Sequence, residues 1–465
     1  MNTTRLQAAL AKKGISVSYA NGVYHIRNTT SSADVLLPDS LPLEEKAVLQ
    51  LLSFASVGHT NEQHPVCKAC ATPDFHPGTI VPVGTVVATE ADFVIPQAIG
   101  TDINCGMRLI TTGVRQEYAA EFKASIIQRL KKVLLENERN LPLSPKSFQV
   151  LFENGPADFL NTLPKIGLWE QVDKDRLFDE LKNCVGLNDF KSKACYAPEA
   201  LLANRDIIRD PSLGTVGGGN HFIELQRIHK IFDRQAAYQL QIHEGDLVVM
   251  IHTGSRDVGF YVGQRWMDKA KEAWPTGVKH PEHKLYGLQG HLAYEYMYAM
   301  GAAARYAWLN RVTLAEMVRK ELETIFGTHQ SHLIADVPHN VIMTENGLNV
   351  HRKGSTPAHS GNVVIIPGSM GDSSYIGLGL GNTDWLESCS HGAGRAIRRQ
   401  DTHRNKDSVL KNGLETWECV TLKEERRYEE APTSYKPIGP VISAQEEAGL
   451  MSKVAELDPW ITFKA

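Results

Sequence analysis

The spacing of hydrophobic positions changes several times along the chain, and each change marks an element. Val48, Leu51, Leu52 and Ala55 recur at helical spacing and predict a helix within Leu43–Ala55. Before it, Ile15–Tyr19 and Val23–Ile26 flank Asn21-Gly22, a dipeptide suited to the positive φ angles of a tight hairpin. The N-terminal MNTTRLQAALAKKG reads as a short amphipathic helix. From Pro73 to Thr112 the texture turns to short β-like runs (IVPVGTVVA, DFVIPQAIG, MRLITTG), and helix returns over 117–136. Helices and loops are expected over 141–200. Within 246–256, VVMIH reads as a buried strand running into a polar turn, and Gln289–Phe326 as a long helical stretch broken near Arg311-Val312-Thr313. Residues 354–395 hold nine glycines around one short strand, VVIIP, a texture of tight turns. KEERRYEEAP and a tail ending WITFKA close the chain. Strands and helices mix without a regular βαβ rhythm, so the expected class is α+β. The expected organisation is a helix-and-hairpin lead-in over 1–58 followed by one large domain over 59–465, with mixed sheets around a metal cleft.

Composition narrows the function. The 465 residues are 42% hydrophobic and 22% charged, as in ordinary globular chains. A net charge of −4 excludes a protein that coats nucleic acid by bulk charge and leaves room for a local basic cleft. No apolar run is long enough to span a membrane, and the N-terminus lacks a secretory core. Seven cysteines, an odd number in a long chain, fit a reducing cytoplasm better than a disulfide framework.

The residues with chemistry sit where strands end. Asp102 and Cys105 share one Gly-flanked turn, from which a carboxylate and a thiolate can reach the same borderline-soft ion. His221 follows Thr215-Val216 and three glycines; His252 ends the strand VVMI; His339-Asn340 follows Asp336-Val337-Pro338. Singly, each reads at least as readily as a hydrogen-bonded structural residue. His391 opens H-G-A-G-R ahead of an expected helix at Arg395–Arg399, and a Gly-rich turn into a helix N-terminus favours anions. Taken together, they suggest a metal cluster beside a phosphate site. Cys67 and Cys70 form a C-x-x-C with no second ligand pair, so inert thiols are expected there rather than zinc. No P-loop occurs, and Gly377, Gly379 and Gly381 lack the context of a dinucleotide site.

The series TPDFHPGTIVPVGTVVA, GTDINCGMRLI, GTVGGGNHFIEL, MIHTGSR, HNV, HRKG, IPGSMG, SY and SCSHGAGR resembles the motif series of the RtcB-type RNA ligases, in order and in spacing, from about Leu43 to the C-terminus. The resemblance implies the family's own α+β fold and a reaction joining an RNA 3′-phosphate or 2′,3′-cyclic phosphate to a 5′-hydroxyl, in RNA repair or tRNA splicing, using GTP and manganese. It implies that Asp102, Cys105, His221, His252 and His339 hold two Mn²⁺ ions, with the Cys105 thiolate bridging. His391 would be the nucleophile that takes GMP. Asn220, with His221, His339 and Asn340, would contact the nucleotide or RNA phosphate beside the metals. Glu224, Pro367, Gly368, Ser369, Met370 and Ser374 would bind the guanine nucleotide, as would His391, Gly392, Ala393, Gly394, Tyr435 and Lys464. The partners implied are RNA and GTP, with an activating protein partner allowed and no membrane.

The chain departs from the family's pattern at Gly354-Ser355-Thr356-Pro357-Ala358, where an arginine is common, at Thr253–Asp257, and at Lys464-Ala465. These departures touch RNA handling more than the metal and guanylate sets. The competing reading is a metal-dependent phosphodiesterase or cyclic-phosphate hydrolase that has lost ligation; the presence of His391 favours the ligase.

Overall fold

The computed structural model describes residues 3–59, 64–203, 206–327, 330–397, 399–402 and 418–465. Two large sheets organise it, an arrangement of mixed strands and helices in a single α+β domain. The first sheet runs Ser16–Ala20, Val23–Arg27, Ser32–Leu36, Val66–His76, Val83–Glu90, Leu348–Lys353, Asn340–Glu345. The Asn21-Gly22 hairpin thus forms one edge of the same sheet, and Ser32–Leu36 pairs in parallel with Val66–His76. The helix Glu45–Ala55 buries Val48, Leu51 and Leu52 against these strands, as their spacing requires.

The second sheet runs Leu333–Pro338, Gly106–Arg115, Asp246–Thr253, Phe222–Ile231, Met451–Lys464, Ser374–Gly379, Val363–Ile366, with Glu418–Thr421 lying parallel beside Met451–Lys464. Its register fixes the functional row. Gly106 lies opposite both Pro338 and Thr253, and His252 lies opposite both Met107 and Phe222. Residues 105, 339, 252 and 221 therefore end adjacent strands at one edge of the sheet. The connection at His339 carries the chain from Leu333–Pro338 in the second sheet to Asn340–Glu345 in the first, so the two sheets meet at this row.

Three local expectations differ from the structure. The segment DFVIPQAIG is only briefly strand, at Phe93–Val94. Pro96 then starts the short helix Pro96–Ile99, where its missing N–H costs nothing. The long helix is unbroken from His291 to Phe326. Val312-Thr313 lowers helix propensity by only a few tenths of a kcal/mol per residue, and the segment is enclosed on all sides. Thr313 Oγ1 donates back to Leu309 O at 2.7 Å, and Arg311 reaches a buried carboxylate. The third concerns His391. Arg395 does not begin a helix; it bridges to Tyr435, and the short helix starts at Arg399. Gly394 has φ +77°, which turns the chain away from helical geometry. No helix among the described residues is long and apolar enough to cross a membrane.

Candidate active site

The turn after Pro96–Ile99 places Asp102 and Cys105 by local hydrogen bonding. Cys105 N donates to Asp102 O at 3.2 Å, and Asn104, in left-handed backbone at φ +53°, donates its N–H to Asn340 O at 2.7 Å. The strand-end row then supplies three imidazoles. Cys105 Sγ lies 3.2 Å from both His221 Nε2 and His252 Nε2; His221 Nε2 is 3.0 Å from Asp102 Oδ2; His252 Nε2 is 3.2 Å from His339 Nε2. Two triads result, Asp102–Cys105–His221 and Cys105–His252–His339, sharing the one sulfur. Gly254 is required beside them, because a Cβ there would lie 2.2 Å from Asp102 Oδ1.

The donor set fits a pair of cations. Burial, and next the Asp102 carboxylate, push the Cys105 thiol well above its ordinary range. Burial and the neighbouring histidines hold His252 and His339 well below theirs, so both imidazoles are neutral. Burial would raise the Asp102 carboxyl, but His221 outweighs it and the group stays ionised. Lone-pair atoms thus crowd together with little proton donation between them. A divalent ion of borderline softness accepts this mixture of thiolate, imidazole and carboxylate and would deprotonate the thiol.

His391 follows the short strand Ser388–Ser390, which pairs with Ser355–Pro357. Its Nδ1 is 2.7 Å from Asp74 Oδ2, and its ring centre is 4.6 Å from that of His339. Asp74 is wholly buried and accepts from Thr72 Oγ1 at 2.6 Å. Burial raises its pKa, but His391 outweighs it and the net shift is downward. A carboxylate on Nδ1 favours the tautomer with the proton there and leaves the lone pair on Nε2. Lys436 braces this arrangement from behind. Its Nζ donates to Pro73 O at 3.2 Å and to Phe75 O at 2.5 Å, on either side of Asp74. Burial brings the Lys436 pKa down to about 8, against the pull of Asp74 and Glu44.

A cavity of about 830 Å³ opens from this cluster. Asp102, His252 and His391 reach its wall, as do Asn220, Glu224, Pro367, Gly368, Ser369, Met370, Gly392, Ala393, Gly394, Tyr435 and Lys464. Glu224 is buried, with Oε1 accepting from Gln226 Nε2 at 2.6 Å and Oε2 from Thr462 Oγ1; burial raises its pKa. Tyr435 donates its hydroxyl to Glu430, whose carboxylate lies 3.5 Å from Lys464 Nζ.

Four expected nucleotide contacts are not on this wall, and two of them, His221 and His339, sit in the ligand-type triads. Asn340 joins Gly354 N to Asp102 O, at 3.0 and 3.3 Å, and Ser374 Oγ holds Gly368 N at 3.2 Å. Lys353 also lines the cavity and donates to Ile99 O at 3.0 Å. Pro357 is buried in its strand, and Arg352 is engaged by both Glu345 oxygens at 2.7 Å, so neither faces the cavity. Cys67 and Cys70 belong to no metal-type cluster among the described residues. Asp74 was present in the TPDFH motif, but only its contact across 317 residues reveals its role.

The model of the family described as tRNA-splicing ligase RtcB matches residues 57–465. Curated relatives named tRNA-splicing ligase RtcB include one from Pyrobaculum aerophilum, 31% identical over 83% of this chain and 85% of its own. Another from Thermococcus kodakarensis is 30% identical over 83% of this chain and 85% of its own, and a third from Archaeoglobus fulgidus is 30% identical over 90% of each.

Proposed function

The chain belongs to the RtcB family of RNA ligases, and on that premise we propose that it joins an RNA 3′-phosphate, or a 2′,3′-cyclic phosphate once opened, to a 5′-hydroxyl through a histidine–GMP intermediate on His391. The observation that carries this reading is the Asp74–His391 pair, held 2.7 Å apart beside the two ligand triads. A hydrolase acting through an activated water needs no nucleophilic imidazole at that place.

In the first step His391 Nε2 attacks the α-phosphorus of GTP, a P–N bond forms, and pyrophosphate leaves. Asp74 keeps the Nδ1 proton and stabilises the positive charge that develops on the ring. An oxygen of the RNA 3′-phosphate then displaces the imidazole from phosphorus. In the last step the 5′-hydroxyl attacks the RNA 3′-phosphorus, loses its proton, and expels GMP. Asp102, Cys105, His221, His252 and His339 would hold two Mn²⁺ ions, which when bound would neutralise phosphate charge. The buried Glu224 carboxylate suits the two N–H donors on the guanine edge and Lys464 suits its carbonyl, a pattern adenine does not offer.

The test is incubation with Mn²⁺ and GTP labelled at the α-phosphate, followed by denaturation. Label that stays on the protein, resists alkali, is released by acid and vanishes in His391→Ala is expected. Wild-type labelling in His391→Ala would refute the assignment. Cyclic-phosphate opening without any labelling would favour the hydrolase.

A further inference from the structure

We propose that Phe260 is a stacking platform for an unpaired base of the RNA strand whose end enters the cavity. The proposal rests on RNA being the substrate. The helix Arg256–Glu272 carries Phe260. At 3.6 residues per turn, Phe260, Gly263 and Met267 fall within one stripe about 60° wide. The other two positions of the stripe are tied to the site, and so is Arg256, which opens the helix from left-handed backbone at φ +49°. A Cβ on Gly217 would lie 2.3 Å from Arg256 Nη1 and 2.8 Å from His221 Nδ1, so the helix begins beside a metal-type cluster. A Cβ on Gly263 would meet Gly100 O at 2.7 Å and Thr101 Cα at 2.9 Å, and both residues line the cavity. Met267 lines it directly, so the stripe ends on the cavity wall.

Phe260 lies between these markers and is 61% exposed, while Val258, Gly259, Val262 and Gly263 around it are buried. Single exposed aromatics are common on protein surfaces and alone signify nothing. This one differs in its place: it shares a helix face with Met267, which lines the cavity, and with Gly263, which packs on Gly100 and Thr101 just ahead of Asp102. A nucleic-acid strand leaving the reacting phosphate along this face passes an aromatic ring. Every base has a π-face, so stacking there is tolerant of sequence and is available only to unpaired nucleotides. The platform therefore selects single-stranded ends over ends held in a duplex.

The probe is a fluorescent single-stranded RNA oligonucleotide with a 3′-phosphate, titrated with the full chain in Mn²⁺ and followed by anisotropy. Loss of one stacked base weakens binding by about tenfold. Phe260→Ala is expected to raise Kd by that factor, Phe260→Leu to do the same, and Phe260→Trp to stay within about twofold of wild type. The same titrations use an oligonucleotide whose terminal nucleotides are abasic; there Phe260→Ala should bind like wild type. An unchanged melting temperature shows that the exposed substitution leaves the fold intact. Wild-type affinity in Phe260→Ala or Phe260→Leu, or an equal loss on the abasic strand, overturns the proposal. Failure of His391 to label from GTP would remove the histidine–GMP route and leave these binding measurements standing.

Discussion

Arg311 links the long helix to the backs of the ligand segments, and replacing it with methionine is the most informative perturbation of the scaffold. The guanidinium is 1% exposed. It donates to Asp336 Oδ1 at 2.9 Å through Nε, and through Nη1 to Asn104 O at 2.7 Å and Thr253 O at 3.1 Å. Asn104 precedes Cys105, Thr253 follows His252, and Asp336 lies three residues before His339. One side chain therefore ties together three of the strand ends that carry Cys105, His252 and His339. Asp336 also pairs with Arg108, which in turn binds Glu180, and Glu180 binds Arg319, so the carboxylate sits in a dry ionic network. Arg311→Met keeps the volume but leaves Asp336 short of one cation and two buried carbonyls without a donor. Breaking a buried pair in this way costs roughly 3–5 kcal/mol. With an unfolding entropy of about 2.1 cal/mol/K per residue, a 465-residue chain should lose about 3–5 °C in Tm. Calorimetry measures that, and equilibrium dialysis should show weaker Mn²⁺ binding at a temperature where the variant is folded. A variant melting within 1 °C of wild type (about 1 kcal/mol on the same scale) and binding Mn²⁺ normally would refute the reasoning.

Asp74→Asn removes the carboxylate on His391 Nδ1 and should slow self-guanylylation by about 10²–10⁴-fold, measured by quenched-flow labelling; a loss under threefold would mean that Asp74 does not set the tautomer. Cys105→Ala should lower bound manganese in metal analysis of the purified protein, whereas Cys67→Ala with Cys70→Ala should leave it unchanged, and the reverse pattern would contradict the shared-sulfur arrangement. His359 lies 3.3 Å from Glu345 and 3.2 Å from Glu387; the Glu345 hydrogen bond raises its pKa above 6.5, against burial. A raised histidine stabilises the fold fully below its unfolded pKa and loses that contribution as pH climbs through the folded value. His359→Gln should therefore lower Tm more at pH 5.5 than at pH 8.5, and an equal or opposite difference would count against the pairing.

The row formed by Cys105, His221, His252 and His339 was legible in the sequence because each member lies at a strand end, and strand ends leave a mark. His252 terminates an apolar run, and His339 and His221 sit beside the Pro and Gly that stop regular structure. What could not be read was their common edge, which depends on the pairing of Gly106 with both Pro338 and Thr253. Glu180 and Arg311 were invisible for a related reason. A buried ion network is made of residues that look like any solvated charge until a distant partner arrives. Glu180, in a stretch without chemical signal, is bound by Arg108 and Arg319 from two other elements. The expected break at Arg311-Val312-Thr313 was a propensity argument, and burial of the whole turn outweighed it.

The expected helix after H-G-A-G-R matters more, because it carried a chemical argument. A helix N-terminus there would have supplied the field for a phosphate beside His391. With Arg395 bridged to Tyr435 instead, no helix starts directly after His391, and the His391 ring is held by side chains on other elements. Asp74 comes from a strand of the first sheet, and Lys436, next to Tyr435, anchors the carbonyls on both sides of it. The Arg395–Tyr435 bridge that displaces the helix thus also brings Lys436 behind Asp74. The turn at His391 and the segment at Tyr435–Lys436 are therefore joined, and under the proposed function a guanine nucleotide beside Tyr435 would be coupled to the orientation of His391. A change at Tyr435 should consequently alter the rate of labelling at saturating GTP and not only its affinity, which a residue that merely lined the base pocket would not do.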